Sequence, residues 1–578
     1  MCAIAARISK KYTISASQIT NMDRAMAHRG PDDTGVYIST NKRVGLGNNR
    51  LSLVDLSESG NQPMTKFNRT IVFNGEIYNF REINSELLEK GYTFSSQSDT
   101  ETILTAYEAW GIACLNKFNG AFAFVLHDRN TDDVYVARDR IGEKPLYYTE
   151  SNDNFLVASE IKAFLTQPGV RLVPDIDTIQ SNLIFHFFAD KEASYFKNIR
   201  SLAPGYYIKI SNGEFHFFKY WDLRMTVGSL SEQNIPRFID EFYSLLTDAT
   251  RIRLAADTEV GSIFSGGIDS SLITTIAAKL TNKPLKCFTL NVKNHIDEDL
   301  KHARLLYREI DNLKHIPVNI NNDIFSVKNL DNVTKHLEEV VLNRISLYVN
   351  ANYKTVHRHH LKAVLNGQGS DEISFGYYTY YDFMHYDANA LTYHNFADYW
   401  YNQFILKEYM PKKESRRLIE HNLTKNFSPY RSKDVLNQAL AFGIKTHLLN
   451  ILNHEDRFSM KESVECRTVF TDYRLIEMFM AIPSKYKIFD GREKYLVRRL
   501  GERILPKGIV TRKKMGFPDL PDGHRRLVHQ ILSEKKFRTS ELIHRVFSSA
   551  IFEDIEKLPD SVQWEIACLY RFEKVFFD

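Results

Sequence analysis

Short apolar runs separated by turn residues occupy the chain as far as about residue 220. CAIAARI, RVGLGNNRLSLV, TIVFNGEIYNF, AFAFVLHD, DVYVARD and FLVAS alternate or run apolar over strand lengths. One helical pattern, Thr100 to Ala109, interrupts them. The mixture predicts an α+β domain of stacked sheets rather than a parallel α/β sheet. After Trp221 the polar stretch LRMTVGSLSEQNIP reads as a linker, which divides the chain into residues 1–220 and 221–578. Pro236 then opens a helix whose apolar residues Phe238, Ile239, Phe242, Leu245, Leu246, Ala249 and Ile252 recur at helical spacing. The grammar changes there: strand TEVGSIF, a glycine loop, helix SSLITTIAAKL, strand LKCFTL. That order predicts a doubly wound parallel sheet, with helical additions beyond about Tyr377 and no internal repeat.

A length of 578 residues exceeds one ordinary core and suits two domains. The 43% apolar and 25% charged content is that of a soluble globular protein, and the formal charge of +4 carries no nucleic-acid-binding stripe. No apolar run approaches the roughly 20 residues that cross a bilayer, and MCAIAARISKKY lacks a signal-peptide core. A cytoplasmic protein is therefore expected, without nucleic-acid or membrane partners. The five cysteines are scattered and show no CxxC spacing, so neither a disulfide framework nor a zinc site is indicated.

Cys2 follows the initiator Met, and its small size suits removal of that Met. The freed α-amine, with a reference pKa near 8, would then be a general base on the nucleophile's own residue. Taken alone, Cys2 reads equally well as a small buried residue opening a strand. The loops downstream change this: HRGPD (28–32), RLSLVD (50–55), FNGEIY (73–78) and SDTE (98–101). Arg50 suits the α-carboxylate of a glutamine, and Glu76 and Asp99 suit its ammonium. The Asn74 side chain and the Gly75 N–H suit an oxyanion. Singly, Arg50 and Asp99 read as a surface ion pair and Asn74-Gly75 as a hairpin turn.

A second constellation is SGGIDSS (265–271), between an apolar strand and a helix. The backbone N–H groups of Gly266 and Gly267 and the helix amino terminus form a nest suited to pyrophosphate. Ser265, Ser270 and Ser271 add hydroxyl donors, and Asp269 suits magnesium. It is neither a Walker A loop nor GxGxxG. NGQGSDE (366–372) follows the apolar run LKAVL and offers Asp371 as a second magnesium ligand, with Glu372 in support. EDRFSMKESVECR (455–467) and REKYLVRR (492–499) add further charge. Among these residues Lys494 suits the pyrophosphate or the developing charge at an acyl centre, although the run alone reads as a solvated helix face.

Together these motifs resemble a class II glutamine amidotransferase of Ntn-hydrolase fold followed by a PP-loop ATP pyrophosphatase. Such a pair spanning nearly the whole chain is the pattern of the asparagine synthetase B-type family, which ARDRIGEKPLYY (137–148) and ASEIKAF (158–164) also resemble. The resemblance implies ATP and Mg2+ as cofactors, glutamine as nitrogen donor, a carboxylate acceptor with aspartate as default, and an acyl-AMP reached by ammonia through an apolar passage. It adds Val54 to the glutamine site. It places Phe264, Leu290, Asn366 and Gly367 around adenosine, and it implies that Lys494 and position 368 are catalytic. Two departures stand out: Ala3 replaces a glycine, and Gln368 replaces a glutamate implicated in forming the acyl-adenylate. HLEEVVLNRISLYVN (336–350) also differs from the usual aspartate-handling stretch. The alternatives are an acceptor such as a sugar acid or natural-product acid, a glutaminase whose second domain binds nucleotide without catalysis, and a PP-loop RNA-modifying enzyme. A homodimer is compatible with the sequence, which does not decide it.

Overall fold

The computed structural model describes residues 2–225, 230–292, 298–320, 322–377, 393–430, 432, 434–489, 491–512 and 521–578. The amino-terminal half is built on two six-stranded antiparallel sheets. In spatial order the first runs 200–201, 147–151, 154–158, 2–9, 44–50 and 33–38. The second runs 214–219, 206–211, 133–138, 120–128, 69–77 and 64–66. Side chains alternate across a strand, so Ile4, Ala6 and Ile8 of the first sheet meet Val72, Ala123 and Val125 of the second in one apolar layer. The same period of two brings Cys2, at one end of its strand, and Asn74 to this inner layer.

The expected helix is present as Asp99–Trp110, capped by Ser98, whose hydroxyl accepts the Thr100 N–H at 3.2 Å. The run RVGLGNNRLSLV is a strand only as far as Arg50, after which residues 51–61 leave the sheet and close around the Arg50 guanidinium. Strands 33–38 and 214–219 are edge strands with much of their surface exposed.

In the carboxyl-terminal half, strands 313–320, 285–292, 260–263, 363–366 and 465–468 lie side by side in that order, all parallel. Helix Ile235–Arg253 carries Pro236 in its first turn, and helix Ile268–Leu280 follows the strand 260–263 directly. Of the expected linker, residues 226–229 lie outside the described residues. Helices beyond residue 393 complete this half, and among the described residues no helix is long and apolar enough to cross a membrane.

The halves meet through buried charge. Arg29 reaches Glu160 at 3.0 Å and Asp456 at 2.8 Å, while Arg457 reaches Glu160 at 3.3 Å and Glu338 at 2.8 Å. The Glu338 carboxylate also accepts the Ile161 N–H at 2.8 Å and the Lys162 N–H at 2.6 Å. Burial works against ionisation of Glu160, but Lys162, His28 and Arg457 hold its carboxyl well below the ordinary range. Removing one member strands the rest without compensation. Arg457→Met is therefore expected to destabilise the protein by roughly 3–5 kcal/mol, read as a lower urea midpoint.

Candidate active site

Cys2 is buried at the end of its strand, opposite Arg50 in the neighbouring one. Its backbone N–H donates to Asn74 Oδ1 at 3.0 Å. That contact sets the rotation of the Asn74 amide and leaves Nδ2, also buried, with no hydrogen-bond partner among the described residues. A buried donor without a partner is costly unless something completes it, and an oxyanion beside the thiol would. Asn74 and Gly75 lie inside the strand 69–77, so the hairpin-turn alternative is wrong. Gly75 has φ 140°, and a Cβ there would stand 2.0 Å from the Ala121 carbonyl oxygen, so the strand passes this point only as glycine.

Arg50 and Asp99 are each 5% exposed, which removes the surface ion-pair alternative. Arg50 donates to the Ser57 carbonyl at 3.1 Å, to Asn61 Oδ1 at 2.6 Å, to the Val54 carbonyl at 3.3 Å and to the Asp55 carbonyl. Val54 thus enters the site through its backbone. Asp99 Oδ2 accepts the Ile77 N–H at 2.9 Å. Burial pushes Glu76 up to about 8, the Asp99 charge adding to this and Arg467 opposing it. Burial also raises Asp99, against the Ile77 N–H. The Cys2 thiol is raised by burial too, opposed by the terminal amino charge, the Leu51 N–H, Arg50 and Asn48.

The second site is a cavity at the carboxyl ends of strands 260–263 and 363–366, where ligands of open α/β sheets bind. Phe264, Ser265, Gly267, Asp269, Ser270, Leu290, Asn366, Gly367, Gln368, Asp371 and Lys494 all line it. Gly266 and Ser271 are not among its lining residues. Gly266 turns the loop at φ 68°, and Ser271 is fully buried with its hydroxyl unpartnered, so it is not the donor into the nest that its position suggests. Lys494 is no solvated residue: it is 2% exposed at the head of helix Tyr495–Ile504, with Nζ 2.5 Å from Asp269 and 2.7 Å from Asp371. Burial alone would lower the ammonium's pKa, but the two carboxylates hold it raised. Glu372 does not line the cavity; its carboxylate accepts from the Tyr377 hydroxyl at 2.6 Å and lies 3.5 Å from His447. Asp269 and Asp371 already share one cation, as paired magnesium ligands would. Among the described residues there is no cluster of three or more metal-binding side chains.

Asn352, Tyr353, Glu455, Arg498 and Arg512 also line the cavity. Glu455 and Arg498 stand in the charged segments 455–467 and 492–499, but none of the five takes a role from the sequence, because on helices or past helix ends such residues ordinarily read as solvent-facing. Arg467, which ends the charged segment 455–467, takes no role from it either and is fully buried on strand 465–468. It lies 3.4 Å from Glu76 and 2.9 Å from Glu465, and so joins the sheet beneath the second cavity to the thiol site.

A glutamine amidotransferase domain model matches residues 1–221, and the asparagine synthase model matches residues 241–574. The chain belongs to the asparagine synthase family. The asparagine synthetase [glutamine-hydrolyzing] 3 of Bacillus subtilis is 30% identical over 553 residues, covering 90% of this chain and 87% of that protein. Asparagine synthetase [glutamine-hydrolyzing] 1 of the same organism is 28% identical over 596 residues, covering 93% and 89%. Amidase chry2 of Gibberella zeae is 33% identical over 381 residues, covering 62% of this chain and 55% of that protein. As a member of the asparagine synthase family with an amidotransferase domain ahead of it, the chain is an enzyme of glutamine-dependent, ATP-driven amide formation.

A raised Glu76 is neutral at low pH, and only its ionised form attracts an ammonium. Glutamine hydrolysis is expected to show a KM that falls as the pH rises through about 8, where Glu76 ionises. In Arg467→Gln, which removes the cation opposing the shift, this limb of the pH profile moves to higher pH.

Proposed function

We propose that residues 1–220 hydrolyse glutamine at Cys2 and that residues 221–578 activate a carboxylate as its adenylate, with aspartate as default acceptor. The buried contact between Glu76 and Arg467 carries this reading, because it ties the sheet beneath the second cavity to the thiol site. Once Met1 is removed, the Cys2 amine takes the thiol proton and the sulfur attacks the glutamine amide. Asn74 Nδ2 and the Gly75 N–H receive the oxyanion. Arg50 holds the α-carboxylate, framed by the Val54 carbonyl, and Glu76 and Asp99 hold the ammonium. Ammonia leaves, and water releases glutamate from the thioester.

In the second cavity Phe264, Leu290, Asn366 and Gly367 take the adenosine, and the Ser265–Ser270 loop takes the phosphates. Asp269 and Asp371 would hold magnesium, which supplies charge neutralisation at the phosphates when bound. Lys494 stands against the same charge. An acceptor carboxylate oxygen attacks the α-phosphorus, and pyrophosphate leaves with the electron pair of the broken bond. Ammonia then displaces AMP. One apolar cluster runs from Ala3, Leu51 and Leu53 to Leu365 and Phe264, which supports a dry route between the sites. The substrates are small molecules, and the work is that of a cytoplasmic biosynthetic enzyme.

A second acceptor is favoured by one observation: Gln368, where the family resemblance expects a glutamate, donates from Nε2 to Glu455 at 3.2 Å. That changes the charge layout of the acceptor pocket. ATP–pyrophosphate exchange measured with aspartate and with a panel of sugar and amino acids decides the acceptor. Exchange is expected with one carboxylate; exchange with none ends the synthetase reading. Cys2→Ala is expected to lose glutamine hydrolysis and keep ammonia-driven synthesis, and normal hydrolysis in that variant would refute the thiol site.

A further inference from the structure

Attack of ammonia on an acyl-adenylate places a positive charge on nitrogen, which must shed a proton before AMP can depart from a stable amide. Something in the cavity has to accept it. Among the lining carboxylates, Asp269 and Asp371 are held by Lys494, and Glu493 by Arg498. Glu455 differs. It lies on helix His447–Lys461, is 8% exposed, and is ion-paired to no lysine or arginine among the described residues.

What holds Glu455 is a set of neutral donors. The Tyr353 hydroxyl donates to Oε2, the Gln368 amide donates to Oε1 at 3.2 Å, and the Asn366 side chain contributes. The groups facing it from neighbouring elements are Tyr353 on helix 345–358, Cys466 on strand 465–468 and Asn366 and Gln368 on the glycine loop, with His454 beside it on its own helix. Burial raises its carboxyl above the ordinary value, which strengthens it as a base. A carboxylate therefore stands one hydrogen bond from the position where the loop itself carries only an amide.

We propose that Glu455 is the catalytic base of the amide-forming step, with Tyr353 and Gln368 as its positioning residues. This rests on the acyl-adenylate reading given above. The nitrogen lone pair forms the C–N bond as the carbonyl π pair moves to oxygen. One N–H proton passes to the Glu455 carboxylate. The carbonyl then re-forms as the C–O bond to AMP breaks, and AMP departs with that electron pair. Adenylation moves no proton, because the acceptor enters as a carboxylate, so Glu455 is idle in that half-reaction.

Glu455→Gln keeps the size of the side chain and its contact with Tyr353. Three rates are measured in the full-length protein: glutamine hydrolysis, ATP–pyrophosphate exchange with the accepted acid, and amide formation from ammonia. The first two are expected to stay at the wild-type level, and the third to fall by roughly 10²–10⁴-fold. The double variant Gln368→Glu with Glu455→Gln puts the carboxylate on the loop and is expected to regain at least about tenfold of that loss. Unchanged amide formation in Glu455→Gln overturns the proposal. So does exchange lost in parallel with synthesis, or a double variant that exchanges pyrophosphate yet makes no more amide than Glu455→Gln. Absence of exchange in the wild-type protein with every acid would instead refute the adenylate reading.

Discussion

Five charged side chains, Arg29, Glu160, Glu338, Asp456 and Arg457, are packed together with at most 3% exposure each where the two halves of the chain meet. Charges so far from water persist only when each finds its opposite: Arg29 pairs with Asp456 and Glu160 with Arg457 across the boundary, while Glu338 pairs with Arg457 inside the carboxyl-terminal half. The consequence is positional. Arg29 also donates to the Cys2 carbonyl at 3.2 Å, and Asp456 is the chain neighbour of Glu455. The Cys2 thiol and the wall of the second cavity are therefore located by the same electrostatic cluster.

Around it the sites are assembled differently. The thiol site is made by stacking two sheets, so its parts come from strand ends that meet across an apolar layer. The nucleotide cavity is made by two loops leaving adjacent parallel strands, closed by Lys494 from a distant helix. Only the second gathers its charges around a single buried ammonium, and that ammonium marks where a bound cation would interact with the same carboxylates.

The glycine loops and the order of their flanking elements were legible because local backbone chemistry dictates them: a parallel strand, a tight turn and a helix leave a pattern within about fifteen residues. The alternation that brings Cys2 and Asn74 to one layer is equally local. Arg467, Tyr353 and Glu455 were not legible. Glu455 is 87 positions from the Gln368 it contacts, and HLLNILNHEDRFSMK alone reads as an amphipathic helix with its acids in water. Ser271 shows the opposite failure, since its place in the motif suggests a donor while packing turns it inward.

Strand Glu465–Thr468 is four residues long and lies beside strand Ala363–Asn366. Its odd-numbered residues, Glu465 and Arg467, face Glu76. Cys466 between them turns the other way, toward Tyr353 and Asn366, which line the second cavity. Slippage by a single position would exchange the two sets and spoil both chambers together. The two halves of this chain are accordingly bound to drift as a pair: neither chamber can be retuned through this strand without the other registering the change.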